Sequence, residues 1–531
     1  MKKWISLLLC VVLSLSAAAT AFAAENYTLP IGEYGKDFLT IACVDNYYTA
    51  ASYADPLPVL EQIEVNTGIQ IKWEVTPAGQ YDEVIRVRLA AGSDLPDIVQ
   101  IPGKNTAYKS EVYTLGLLGT IIPLEDLIRE HAPNIAKLIW EDMPELGKAY
   151  TAPDGHIYHI AQNYDGTNRV SAKGILIRTD WLETLNLSVP TTADEWYTVL
   201  KAFKERDPND NGIADEIPFG AFSKNGLGEY GYLATAFGLA APATKYIDDN
   251  GTAVCQYDQP GFKDFLTFMN KLYAEGLIDP QYTTGDEAKM NAMAAKDIIG
   301  CSTQYADTDV LWEGTARTAG NPNSANAEYT LIECPVAEDG TPVRMIGRTL
   351  TGHCYSISKS CKDPVMAIQW LDYVYANPEG RDIMLYGFEG LTYTVDENGN
   401  KVWTDYIANN PNGLNISSAL RSVGAFPNMF SNRTVEFGAA MVSKDAAQAS
   451  AALEKYTIQP FPLVMSTEEE LDAIASLTTD IDTYENEMIQ KFITGQVSMD
   501  QFDKFRDTVR AMGGDELTDI YQQQLNRYYG K

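Results

Sequence analysis

Between Phe38 and Ile101 the hydrophobic pattern switches back and forth between strand and helix periods, and that alternation dictates the architecture. FLTIACVDN (38–46) is a mostly apolar run rich in strand formers. Leu57, Leu60, Ile63 and Ile69, with Gly68 as a stop, describe a helix passing into the strand IQIKWEV. QYDEVIRVRLAAG repeats the step, and Gly92 ends that helix before the strand DIVQI (97–101). Strand, helix, strand, helix, strand with short connections predicts an α/β fold with a parallel sheet wound in the right-handed sense. Ligands of such sheets sit beyond the carboxyl ends of the strands. That rule selects Asp45, Asn46, Tyr47 and Tyr48 after the first strand and Pro102 to Asn105 after the third. No GxGxxG or GxxxxGKS occupies these turns, so a nucleotide finds no phosphate cradle.

The rest of the chain continues in the same style. PLEDLIREHAPNIAKLI is helical, and Asp154-Gly155 in APDGHIYHIAQ marks a hairpin. GILIRTDW opens a second block as a strand. PTTADEWYTVLKAFKERD follows as a helix, with Thr192 and Glu195 forming a capping box. GFKDFLTFMNKLYAEG is an amphipathic helix, DIIGCST a strand, DPVMAIQWLDYVYANPEG a helix, and the final stretch from Ile481 reads as three helices. Trp181, Trp196 and Trp370 fall in helical patterns and are assigned to cores.

The first residues, MKKWISLLLCVVLSLSAAATAFAAE, place Lys2 and Lys3 before an apolar run and end in Ala21-Phe22-Ala23. That is the pattern of an export signal cleaved after Ala23. No later stretch approaches ~18 uninterrupted apolar residues, so the mature chain is expected to be soluble and extracytoplasmic. Leu9 stands before Cys10 where lipid attachment needs a small residue, which argues against an anchor. The remaining cysteines, Cys43, Cys255, Cys301, Cys334, Cys354 and Cys361, form no CxxC pair, and no bridges are assigned. A formal charge of −32 disfavours nucleic acid or anionic lipid as a partner.

DPNDNGIADEIPF (207–219) crowds carboxylates and amides around a glycine. Counted as an EF-hand loop, Asp207, Asn209 and Asn211 fall on positions 1, 3 and 5, Gly212 on 6, the Ile213 carbonyl on 7 and Asp215 on 9. Position 12 is Pro218, and the acidic residue comes early, as Glu216. On spacing alone the loop is either a cation site or a solvated Asp/Asn/Gly turn ending the preceding helix.

SDLPDIVQ, DGHIYHIA, IRTDWLETLNLSVPTTADEWYTVLKAFKERDPNDNGIADEIPFGAF, LYAEGLIDPQY, GFEGLTYTVDENG and IDTYENEMIQKFITGQVSMDQFDKF occur in this order behind the leader. In that arrangement the chain resembles the extracellular solute-binding proteins (family 1) of ABC importers, especially the long oligosaccharide-binding type. The resemblance implies a two-lobe periplasmic-binding-protein type II fold, each lobe a mainly parallel sheet flanked by helices, closing on a hinge over a sugar. Lobe one would cover 37–163 with a return segment at about 350–390. Lobe two would cover 164–349 with most of 391–531, and the crossings near Ile160 to Asn163 and Ile346 to Thr351 would be hinge strands. It further implies a monomer that delivers its oligosaccharide to permease subunits. Relatives of the long type bind Ca2+ at the loop matching Asp207, Asn209, Asn211, Ile213, Asp215 and Glu216, where the metal is a structural clip.

Sugar sites combine aromatic platforms with planar polar side chains. With 31 Tyr and 8 Trp in the chain, position selects better than composition. Asn46 and Tyr47 follow the first strand, and Asn163 and Asp165 lie at the first crossing. Tyr305 and Trp312 follow IIGCST, where relatives place stacking aromatics. Glu389 and Tyr393 in GFEGLTY either touch ligand or hold a turn. His156 and His159 alternate faces in a hairpin and do not have zinc spacing. No catalytic motif pairs two carboxylates, so no enzymatic activity is expected. A secreted glycan-active enzyme and a calcium-dependent adhesion protein are the competing readings.

Overall fold

The computed structural model describes residues 27–46, 51–103, 108–164, 173–222, 227–241, 245–305, 308–347, 351–412, 414–427, 429–441, 448 and 451–531. The leader, Tyr47 and Asp165 lie outside them. β1 (Asp37–Val44) pairs in parallel with β2 (Ile69–Thr76) along its whole length and with β3 (Ile98–Gln100) on its other side. The helix Pro58–Thr67 between β1 and β2 begins with proline at its first turn and stops at Gly68, φ 70°. A side chain there would suffer the left-handed backbone penalty and also meet the Gly32 carbonyl. Leu60 and Ile63 of this helix, and Tyr81, Ile85 and Leu89 of helix Ala78–Ala91, share one core with Leu39, Ile41, Ile69, Ile98 and Val99.

Three strands from far along the chain complete that sheet: β4 (Ile160–Tyr164), β13 (Thr351–Ile357) and β16 (Asn432–Arg433), in the order β16-β4-β13-β3-β1-β2. A second sheet has the order β11-β5-β10-β6, from β5 (Lys173–Arg178), β6 (Ile217–Phe219), β10 (Ile299–Tyr305) and β11 (Tyr329–Ile332). A small sheet joins β7 (Ala240–Ala241), β12 (Arg344–Ile346) and β17 (Thr457–Ile458). The hairpins β8 (Lys245–Ile247) with β9 (Ala253–Cys255) and β14 (Tyr393–Val395) with β15 (Lys401–Trp403) stand apart.

Buried side chains segregate with these sheets into two main cores, so the molecule has two α/β lobes. Lobe two gathers Ile175, Trp181, Trp196, Phe219, Ile299 and Trp312 with residues of the terminal helices Glu468–Ile493, Phe502–Ala511 and Gly514–Tyr529. Its helix Ala193–Glu205 is closed by the Thr192/Glu195 capping box and buries Trp196, Val199, Leu200 and Phe203. Trp370 is buried in lobe one.

One sequence expectation requires correction. Within the stretch 391–531, most of which was expected in lobe two, residues 391–441 wrap a third cluster of Val59, Leu385, Tyr386, Ile407, Leu420, Phe426 and Phe437, and β16 then pairs with β4 of lobe one. Pairing there covers an edge of β4 that would otherwise present open backbone groups. The single helix read over DPVMAIQWLDYVYANPEG is two helices, Pro364–Tyr375 and Pro378–Tyr386. Asn377 caps the second by accepting from the Glu379 and Gly380 amides, and Pro378 opens it because a helix interior cannot supply its missing donor. No helix among the described residues is long and apolar enough to cross a membrane.

Candidate ligand site and cation loop

β3 and β4 are both antiparallel to β13, and β16 is parallel to β4, so β1, β2, β3, β4 and β16 all end at one edge of the lobe-one sheet. The chain leaves that edge after β4, returns to it at β13 and leaves it again after β16. In lobe two, β5 begins where the first passage arrives, and Tyr305 at the end of β10 lies opposite Lys173 at the start of β5. Two sheet edges therefore flank the connecting segments, and the residues on them are the candidates for ligand contact.

The lobe-one edge is rich in amides. Gln100 accepts the Val44 amide at 3.1 Å, and its Nε2 lies 3.1 Å from His353 Nδ1. Asp45 gathers the Ser52 hydroxyl and the Tyr53 amide. Asn46 donates through Nδ2 to the Arg421 carbonyl at 3.2 Å. Asn163 is fully buried, donates to Asn432 Oδ1 at 2.9 Å, and keeps its own Oδ1 without a hydrogen-bond partner. A buried amide oxygen in that state favours a donor such as a hydroxyl.

The lobe-two edge carries charge and an aromatic face. Tyr305 is 41% exposed and holds the Lys173 ammonium 4.7 Å from its ring centroid. Lys173 is ion-paired with Glu229, whose Oε2 is buried without a partner, and Thr303 donates to the Glu229 carbonyl at 2.9 Å. Burial pushes the Glu229 carboxyl up, and the Lys173 cation opposes that shift. Gln304 Nε2 is a second orphaned polar atom. Lys173 and Glu229 escape sequence reasoning because no motif surrounds them; only strand register and a 3-10 segment (Gly228–Phe237) bring them to Tyr305.

Trp312 does not join this edge. It is 0% exposed, donates through Nε1 to Asn291 at 2.7 Å and packs edge-on against Tyr329. Its ring is core material, because the helix Thr308–Ala316 turns that side of the chain into lobe two.

The acidic loop occupies the opposite end of the same sheet. It runs directly into β6, whose Ile217 pairs with Ile299 at the start of β10, about 20 Å of strand away from Tyr305. Asp207 accepts from the amides of Asn211 (3.1 Å) and Gly212 (2.9 Å), and Gly212 at φ 76° makes the turn. Asn209 accepts from the Asn211 amide and donates to the Asp297 carbonyl at 2.8 Å, tying the loop to a buried Arg178–Asp297 ion pair. Asn211 donates to Asp215 at 3.2 Å, while Ile213 is exposed and its carbonyl accepts the Asp215 amide. Glu216 is 1% exposed, and neither carboxylate oxygen has a hydrogen-bond partner. Burial and the neighbouring charges of Asp207 and Asp215 push its carboxyl up to about 7. No three His, Cys, Asp or Glu side chains among the described residues converge at metal-holding spacing. The candidate donors are instead a mixture of carboxylates, amides and a carbonyl. An orphaned carboxylate beside two others fits a hard cation, which would supply the missing partner.

Paired lobes with polar sheet edges bordering the segments that join them define a class of proteins that hold a solute between hinged domains. The chain belongs to one family of that class, the bacterial extracellular solute-binding proteins, whose family model matches residues 48–380. It is 26% identical over 549 residues to the fructooligosaccharide ABC transporter substrate-binding protein FusA of Streptococcus pneumoniae, covering 98% of this chain and 97% of that one. The crystal structure of alginate-binding protein AlgQ2 without calcium ion superposes with a TM-score of 0.76 at 26% identity, over 96% of this chain and 99% of the other. An EF-hand mutant of the S. pneumoniae protein in complex with fructo-nystose shares the fold, with a TM-score of 0.74 at 23% identity over 93% and 100% of the two chains.

Proposed function

We propose that this chain is the extracytoplasmic carbohydrate-capturing component of an ABC importer, binding an oligosaccharide between its lobes and delivering it, as a monomer, to permease subunits without chemical change. The reading rests chiefly on Tyr305, an exposed aromatic face at the end of β10, bordered by the Lys173–Glu229 pair. An aromatic face with planar hydrogen-bonding groups around it suits a sugar ring, which offers an apolar face and a rim of hydroxyls. Asn46 and Asn163, with Tyr47 and Asp165 beside them in sequence, would supply the lobe-one contacts. A ligand touching both edges prefers the closed arrangement and so shifts the lobes toward it.

The test is a glycan panel read by thermal shift and calorimetry, with product analysis by chromatography. Saturable binding and unchanged sugar support the proposal; release of new reducing ends would overturn it in favour of a glycan-active enzyme.

Asp207, Asn209, Asn211, Asp215, Glu216 and the Ile213 carbonyl would hold a structural Ca2+. The support is the orphaned Glu216 carboxylate and the EF-hand-like spacing of the donors. The ion would neutralise the mutual repulsion of these carboxylates and stiffen the entry to β6, at the end of lobe two remote from Tyr305.

A further inference from the structure

A cavity of about 160 Å3 opens in lobe two between the β8–β9 hairpin and the helices Glu468–Ile493 and Gly514–Tyr529. At ~30 Å3 for a water-sized group, that is room for about five non-hydrogen atoms with their hydrogens. Thr478, Ile481, Asp482 and Glu485 share one face of the first helix and form a wall. Leu517 and Tyr521 of the second helix line the cavity as well, and Lys245 and Tyr257 come from the hairpin and the turn after it.

The charges around this space do not balance. The Lys245 ammonium sits 3.5 Å from the ring centroid of Tyr521, and Asp482 is the carboxylate whose charge acts on it. Glu485 is left over. No ion pair or hydrogen bond reaches its carboxylate among the described residues, and burial with the charges of Asp482 and Asp258 pushes it up to about 7. The nearby Arg510 is already taken, 2.6 Å from Asp258.

Two more oxygens await a partner. Tyr257 is 6% exposed, and its phenol oxygen has no hydrogen-bond partner among the described residues. That oxygen lies against Gly514, 2.7 Å from where a side chain there would begin, and the Glu485 charge acts on it. Thr478 Oγ1 is buried without a partner. Polar atoms left alone in this way are costly, and a guest that pairs them recovers the cost. A carboxylate, a phenol oxygen and a hydroxyl make three acceptors, and a primary ammonium brings three donors. Ile481 and Leu517 offer apolar contact to a short stem behind it. A metal ion is the poorer guest, since no three His, Cys, Asp or Glu side chains among the described residues converge to hold one.

We propose that this cavity is a second binding site, for a primary ammonium on a stem of about four carbons, whose N–H groups are received by Glu485, Tyr257 and Thr478. It is independent of whatever is held between the lobes.

The test compares guests of one size. Calorimetry and thermal shift on the mature protein use n-butylammonium, its neutral counterpart 1-butanol, and tetramethylammonium, a cation with no N–H donor. Wild type should bind n-butylammonium saturably, and at least about tenfold more tightly than either of the others, the lower end of what charge-assisted hydrogen bonds give. Absence of saturable binding, or equal affinity for the alcohol, overturns the proposal, and neither comparison requires a variant to fold. Equal affinity for tetramethylammonium overturns the assignment to a hydrogen-bonded primary ammonium. Glu485→Gln, which keeps the shape and removes the charge, should lose the preference for the amine, and Tyr257→Phe should weaken amine binding severalfold. Amine binding of wild-type strength in both variants overturns the placement in this cavity.

Discussion

Tyr305 and Trp312 lie close together in the chain and have opposite tasks. Tyr305 offers an exposed face, so Tyr305→Ala should weaken oligosaccharide binding at least tenfold by calorimetry while leaving the melting temperature nearly unchanged. Trp312 is sealed in lobe two, so Trp312→Ala should cost about 3–5 kcal/mol in a urea titration, the scale of emptying an aromatic-sized space in a core. Sequence could not separate the two, because both are aromatics just past the same strand. What divides them is remote: Asn291 takes the Trp312 indole proton and Tyr329 covers its edge, whereas Lys173 covers part of Tyr305 and leaves the rest open. Asn46 is selected by its place after the first strand and Asn163 by the first crossing, while Asn432, which Asn163 bonds, arrives from a segment whose place on lobe one depends on long-range pairing.

The acidic loop and the helix before it were readable because their signals are local. Thr192 and Glu195 are three residues apart, and the donors of the loop are spaced by turn geometry. Thr192→Ala should lower stability by about 1 kcal/mol through loss of the cap, measured by chemical denaturation. The loop makes a sharper prediction through Glu216. Its folded carboxyl is raised to about 7 from an ordinary value of 4.5, so between those values the folded chain holds a proton that the unfolded chain has released. Metal-free stability should therefore fall as pH rises through that window, and Ca2+ should offset the fall by pairing with the ionised form. Burial also raises Glu485 and Asp372, so the diagnostic quantity is the difference between wild type and Glu216→Gln. In that variant the calcium response of the melting temperature should shrink and the pH slope should flatten. If calcium stabilises Asp207→Ala and Glu216→Gln as much as wild type, the loop is only a turn. The split at Asn377-Pro378 is the converse case: the apolar periodicity on both sides of it reads as one helix, and the local stop signal prevails in the structure.

The parallel β1-β2-β3 unit was predictable because its strands and helices are adjacent in sequence; β13 and β16 were not, since nothing near them specifies which edge they will cover. Two cores joined by chain passages would be a poor rigid body, and a bound sugar bridging both edges should compact it.

 Small-angle scattering should register that change as a smaller radius of gyration on adding ligand, and Tyr305→Ala should blunt it at the same ligand concentration. The passage of the chain back and forth has a second outcome, which concerns how the molecule is made. Asn163 meets Asn432 across 269 positions, so the outermost strand of lobe one is contributed by residues that leave the ribosome long after β1 to β4. Contacts of that separation carry a large loop-closure cost and slow the search for the native state. Lobe one therefore cannot finish folding on a truncated chain. A fragment ending before Asn432 should expose the edge of β4 and aggregate.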